Sequence, residues 1–272
     1  MASIGEDIRG GWLRKLYAPS NPAGLWLALG IAVLLLVINQ GLQAALAFAA
    51  VKVMYGGDTI NMREFIKASL VVIFPASLLT AAAAYGLACL RGGNPRAVLA
   101  LRWPRLGWLG WLLLLAGFML IMYAAIFVIV LVLGIDLAQY TPGPRGESPE
   151  TGSAGLVKEA MFDIANDPRL FLLVLPSVAL GAPIAEELIF RGQLFSALSQ
   201  TRLGVSGTSV VTAALWAIMH VSEPWLSIGL IFIMGLVFGW MMYRFGSLWI
   251  TMACHAIWNT VYALAIFGAI AS

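Results

Sequence analysis

With 272 residues, 61% of them hydrophobic and only 11% charged, and a mean hydropathy of +0.91, the chain is neither an ordinary soluble protein nor, over most of its length, a disordered one. A net charge of +3 on so apolar a sequence provides no basic surface of the kind that binds nucleic acid. Its two cysteines, Cys89 and Cys254, both lie inside apolar runs, which excludes a disulfide framework and a thiolate zinc cluster.

A helix crosses the hydrocarbon core with about 20 apolar residues, so charged side chains mark where spans end. The first uncharged run, residues 16–51, is too long for a signal peptide and lacks a small-residue cleavage site, so it is expected to remain as the first helix. Runs 68–90 and 106–135 follow, and residues 1–135 read as an N-terminal three-helix accessory region. Residues 136–168 form the one long extramembrane stretch. It begins with turn chemistry, Tyr-Thr-Pro-Gly-Pro-Arg-Gly-Glu-Ser-Pro over 140–149. Beyond it, apolar Leu156, Val157, Ala160, Met161 and Ile164 recur at helical spacing against Lys158, Glu159 and Asp163, which predicts a short helix lying at the membrane interface.

Residues 169–268 carry the chemistry. A run from Leu170 would be one more span, but Glu186, Glu187 and Arg191 interrupt its second half. Pro176, Gly181 and Pro183 are expected to bend this helix and free backbone carbonyls, which a bilayer tolerates only where they line protein or water. Runs 203–222, 224–243 and 245–272 complete the chain, and Gly235 with Gly239 is a small-xxx-small pair expected to bring helices close. The fold class is therefore all-α, a polytopic transmembrane bundle of about seven spanning helices, with an eighth helix or a hidden re-entrant segment as the alternatives. With seven, ten of the sixteen basic residues fall on the side of the N-terminus, among them Arg9, Arg14, Lys15, Arg91, Arg96, Arg102, Arg105 and Arg202. The positive-inside rule then predicts a multi-pass cell-membrane protein with a cytoplasmic N-terminus.

Ionisable groups at bilayer depth cost about 2.5–3.5 kcal/mol each, so they are normally paired or functional. Here they form three sets with i, i+4 spacing: Glu187 and Arg191, preceded by Glu186; Trp216 and His220; His255 and Asn259. Glu187 and Arg191 can pair along one helix face, whereas Glu186 is rotated about 100° away. Glu186 then sits where desolvation moves a carboxyl toward the range of a general base, with His220 sharing the proton or orienting a water. His255 and Asn259 present a ring N–H and an amide N–H₂ suited to a developing oxyanion. Measured from a cytoplasmic boundary near Gln200, Gly207 and Ser247, Glu186, His220 and His255 lie roughly 21, 20 and 12 Å deep, close enough in depth to meet. Trp216 reads as packing.

The order E-E-x-x-x-R, aromatic-x-x-x-H and H-x-x-x-N on successive helices resembles the CPBP intramembrane proteases, the group containing the CAAX prenyl endopeptidases and bacteriocin-processing or self-immunity proteins. The resemblance covers about residues 170–267, with Trp216 where the family pattern usually has Phe. It implies an endopeptidase acting on a membrane-associated protein or peptide, including a lipid-modified one, through water activated by Glu186 with His220. His255 and Asn259 would stabilise the oxyanion, and Glu187 with Arg191 would hold the site together. There is no H-E-x-x-H, G-x-G-D or G-x-S-G motif of other intramembrane proteases. A zinc held by His220, His255 and Glu186 would have an acceptable ligand set, but a metal-free glutamate mechanism is favoured and no cofactor is expected. Two other classes compete: a non-catalytic immunity factor or complex subunit that uses the same cluster for binding, and a proton-coupled transporter. The second would need paired broken helices, and one is seen.

Overall fold

The computed structural model describes residues 17, 21, 23–56, 61–136 and 153–271, and all regular elements among them are helical. In chain order these are α1 (Leu25–Tyr55), α2 (Met62–Leu90), the single turn α3 (Pro95–Val98), α4 (Trp108–Leu133), α5 (Ser153–Asn166), α6 (Pro168–Leu198), α7 (Gly204–Ile218), α8 (Trp225–Phe245) and α9 (Leu248–Ala271). Among the described residues six helices are long and apolar enough to cross a membrane: α1, α2, α4, α6, α8 and most of α9. The run at 203–222, expected as a full span, is helical for only 15 residues, about 22 Å. Its chain then turns through 219–224 before Pro224 opens α8. The proline-rich segment 140–149 and the basic N-terminal residues Arg9, Arg14 and Lys15 lie outside the described residues.

The chain divides into two compact units: residues 1–32, 85–107 and 187–251, and residues 33–84, 108–186 and 252–272. In the first unit the ends of several spans are tied together. Asn21, just ahead of α1, donates from Nδ2 to the Gln193 carbonyl (3.2 Å) and to Ser196 Oγ (3.1 Å) near the end of α6. Arg91, one residue past α2, donates to Asn21 Oδ1 at 3.0 Å. The turn between α8 and α9 joins the same set, since Leu248 N–H bonds the Ala100 carbonyl (2.9 Å) and Ser247 Oγ–H bonds that of Arg102 (2.6 Å). The start of α1, the end of α2, the 91–107 connection, the end of α6 and the α8–α9 turn are therefore gathered at one end of this unit. Tyr17 anchors there too, packed edge-on against Phe195. Burial pushes its phenol up to about 12, against a smaller opposing effect of the hydrogen bond with Ser199.

In the second unit a proline dictates a helix–helix contact. Pro75 inside α2 has no N–H to offer the Val71 carbonyl one turn back. Ser177 of α6 replaces it, donating to Val71 O at 2.7 Å while accepting from Phe74 N–H at 3.1 Å. The approach is so close that a Cβ on Gly181 would sit 2.8 Å from Phe74 Cα, so only glycine fits.

The predicted amphipathic helix is present as α5, and part of its apolar side packs on protein while Val157 stays exposed. Ile164 packs in one cluster with Leu170, Val174, Ala263 and Phe267. Its polar side is clamped to α2: Arg63 bonds Asp163 and lies 3.4 Å from Glu159, and Lys67 bonds Asp163 at 3.0 Å. Partial burial pushes the Asp163 carboxyl up, but the hydrogen bonds and charges of Arg63 and Lys67 outweigh it and hold Asp163 below the ordinary carboxylate range. The helix is thus tied to the bundle through both faces.

Candidate active site

The interrupted span α6 is not a uniform α-helix. Its turns widen to π geometry over Ser177–Gly181 and again over Leu188–Leu194, with the α-helical Ala182–Glu187 between them. Pro176 and Pro183, which cannot donate to the helical ladder, account for the first of these, and such bulges recur at functional sites. Where the sequence predicts a bend, the structure has a pair of wide turns flanking the two glutamates.

In the first unit Glu187 and Arg191 form the anticipated pair, Oε1 to Nη1 at 3.1 Å, with both side chains wholly buried. An ion pair so deep loses the hydration of two charges, which mutual attraction alone seldom repays. Aromatic faces supply the rest. The Arg191 guanidinium lies 4.3 Å from the centroid of Trp216 and 5.2 Å from that of Phe238, and desolvated contacts of this kind contribute about 2 kcal/mol. Gly235 makes the space, because a Cβ there would stand 3.2 Å from Arg191 Nη2 and 2.9 Å from Ala213 Cα. Gly239 likewise lets Ser209 of α7 approach α8, so the small-residue pair acts as the sequence predicts.

Trp216 connects this cage to His220. The two rings meet edge to face at 5.7 Å, and His220 Nδ1 lies 2.9 Å from the Trp216 carbonyl. α7 ends at Ile218, so that carbonyl is one of the orphans of a helix C-terminus. A carbonyl only accepts, so the proton of this contact sits on Nδ1, and in the neutral form of the half-buried ring Nε2 carries the lone pair. The sequence assigned Trp216 to packing alone and gave no sign of Phe238. The arginine is what links them, and its partners across helices α7 and α8 have no signature in the spacing.

In the second unit, Glu186 is half-buried, His255 is 3% exposed and Asn259 is half-buried. Asn259 Nδ2 donates to the Val178 carbonyl at 3.0 Å. The wide turn explains why. The N–H of Ala182 is taken by the Ser177 carbonyl and Pro183 has no N–H, so Val178 is left without a helical donor. One hydrogen of the Asn259 amide is thus committed to the backbone of α6, and one remains of the two that the sequence reading gave to an oxyanion. Only part of this is legible in the sequence: Pro183 has no N–H to give, but that Val178 needs it follows from the π turn.

Among the described residues no group of three or more His, Cys, Asp or Glu side chains is gathered closely enough to hold a metal ion. Residues 168–261 match the family model described as "Rce1-like: Type II CAAX prenyl endopeptidase Rce1-like". No curated protein and no solved structure matches the chain.

Proposed function

We propose, from the Rce1-like domain that residues 168–261 form, that this membrane protein is an intramembrane endopeptidase whose nucleophile is a water activated by Glu186. The family supports the coarser part, a CAAX-type protease working in a lipid environment on a peptide or protein. Its residues supply the finer part. Glu186 takes a proton from water as the oxygen attacks the scissile carbonyl; His220, through Nε2, accepts a hydrogen bond from that water and orients it. His255 donates to the oxyanion, aided by the second N–H of Asn259. Collapse of the tetrahedral intermediate breaks the C–N bond, and the proton held by Glu186 passes to the leaving amine. Glu187 and Arg191 take no part in proton transfer. They fix Trp216, and Trp216 fixes His220.

The observation that carries this reading is the Nδ1 bond of His220 to the Trp216 carbonyl, which in the neutral ring leaves the Nε2 lone pair for a water and ties His220 to the Arg191 cage through Trp216. The substrate is the end of a membrane-anchored protein or a small peptide. The face carrying the start of α1 and the 91–107 connection is cytoplasmic, in keeping with its excess of arginine.

Glu186→Gln in the purified protein should lower turnover of a cleavable peptide by at least about a thousandfold while leaving the melting midpoint in place. Unchanged turnover excludes Glu186 as the base, and a retained biological phenotype without cleavage would favour the binding-only reading. No step runs through a metal, so EDTA or phenanthroline should leave activity intact. Inhibition reversed by added zinc would overturn that part.

A further inference from the structure

The cluster that joins the span ends contains more donors than the protein satisfies. Arg91 donates from Nη2 to Asn21, but its Nη1 is buried and has no hydrogen-bond partner. Gln193, only 2% exposed, has a carbonyl bonded to the same Asn21 and an Nε2 that is likewise buried and unpartnered. Asn21 has no spare group to give either one: its amide bonds Gln193 and Ser196, and its oxygen takes Ala23 N–H and Arg91. Leaving a buried donor unmatched costs about 1–3 kcal/mol, and more for a charged one, so two on residues that share Asn21 as a partner call for an acceptor.

The surroundings say what charge that acceptor carries. No Asp or Glu occurs in the segments gathered here, residues 91–107, 192–203 and 246–248, whereas Arg91, Arg96, Arg102, Arg105 and Arg202 all do. Among the described residues Arg91 forms no ion pair. The position says where it comes from. Arg91 follows directly on Leu90, the last residue of a span, at headgroup depth. On the same connection Trp103 is 69% exposed and packs against Trp249 at 5.6 Å, the side-chain type that settles at a lipid–water boundary.

We infer that Arg91 and Gln193 form a binding site for a phosphate oxyanion, supplied by the headgroup of an anionic phospholipid. Arg91 Nη1 gives a charge-assisted bond and Gln193 Nε2 a neutral one, while the exposed arginines of the 91–107 connection hold the headgroup from outside. The site is separate from the residues assigned to hydrolysis and does not depend on that assignment.

The full chain is purified, exchanged into pure phosphatidylcholine vesicles or equimolar phosphatidylcholine–phosphatidylglycerol vesicles, and its retained lipids are counted by native mass spectrometry after detergent extraction. The wild type should keep phosphatidylglycerol over phosphatidylcholine. Arg91→Gln, which keeps a donor for Asn21 but loses the charge, should lower that retention about tenfold, the worth of one charge-assisted bond. Gln193→Glu is an isostere that gives Arg91 an internal carboxylate. It should lower retention equally while raising the melting midpoint, which separates loss of the site from loss of folding. Equal retention by wild type and both folded variants overturns the proposal. Stabilisation of the phosphatidylcholine-reconstituted protein by inorganic phosphate to the same extent overturns the lipid source. Displacement of phosphatidylglycerol by a peptide with a free C-terminal carboxylate, and not by its amide, reassigns the site to substrate.

Discussion

The two units each hold an arginine–carboxylate cluster, and the clusters are built for different ends. Glu187 and Arg191 are wholly buried, four residues apart on one helix, and enclosed by Trp216, Phe238 and the bare backbone of Gly235. Arg63, Lys67, Glu159 and Asp163 bring together residues roughly a hundred positions apart, and their side chains keep between 13% and 36% of their surface in solvent. The first pair is held by its surroundings and holds them in turn, so removing one partner strands the other charge. The second is a clamp on the strap-like helix α5 whose ions rehydrate when it opens. Chemistry alone does not rank the two; burial does.

That ranking can be broken by experiment. Glu187→Ala should cost about 3–5 kcal/mol or prevent folding, because the Arg191 charge is left in an apolar cage. A detergent-solubilised protein that melts within a few degrees of wild type would mean the pair is dispensable. Gly235→Ala should come next, at about 1–3 kcal/mol, since the new methyl group meets the backbone of α7 and the guanidinium together. It should lower turnover along with stability, through the displaced Trp216. Loss of stability with unchanged turnover would detach the cage from His220.

The smallest effect should be Asp163→Asn, below about 1 kcal/mol and weakened further by salt. Its pH dependence has a definite sign. The folded carboxyl lies below its unfolded value of about 4, so its contribution is complete above that value and is lost as pH falls through the lower folded one. The wild-type melting midpoint should therefore fall more steeply than that of Asp163→Asn in this acid window. Parallel acid profiles would show that the α5 clamp contributes nothing.

How much of this could be read beforehand varies from residue to residue. Glu187 with Arg191 followed from spacing, because an i, i+4 pair is a local property of the helix. The amphipathic run at 156–164 gave α5 for the same reason, yet what covers its apolar side depends on Leu170, Val174, Ala263 and Phe267, which no local pattern relates to it. Trp216 was underestimated because a stacking role requires knowing that Arg191 lies opposite. The family match to residues 168–261 agrees with the three motifs taken together, whereas the N-terminal helices carry no comparable pattern.

The sequence by itself determined a helical membrane protein with a small polar set in its C-terminal third, because charge in hydrocarbon is too costly to be placed there by accident. The tertiary structure decided which polar groups of neighbouring helices serve the backbone: Asn259 bonds Val178 and Ser177 bonds Val71, whereas His220 reaches back only to Trp216 on its own helix end. Prolines and helix ends leave carbonyls unsatisfied at predictable places. Which side chain answers each one depends on the helix packed beside it, and that is fixed only when the bundle closes.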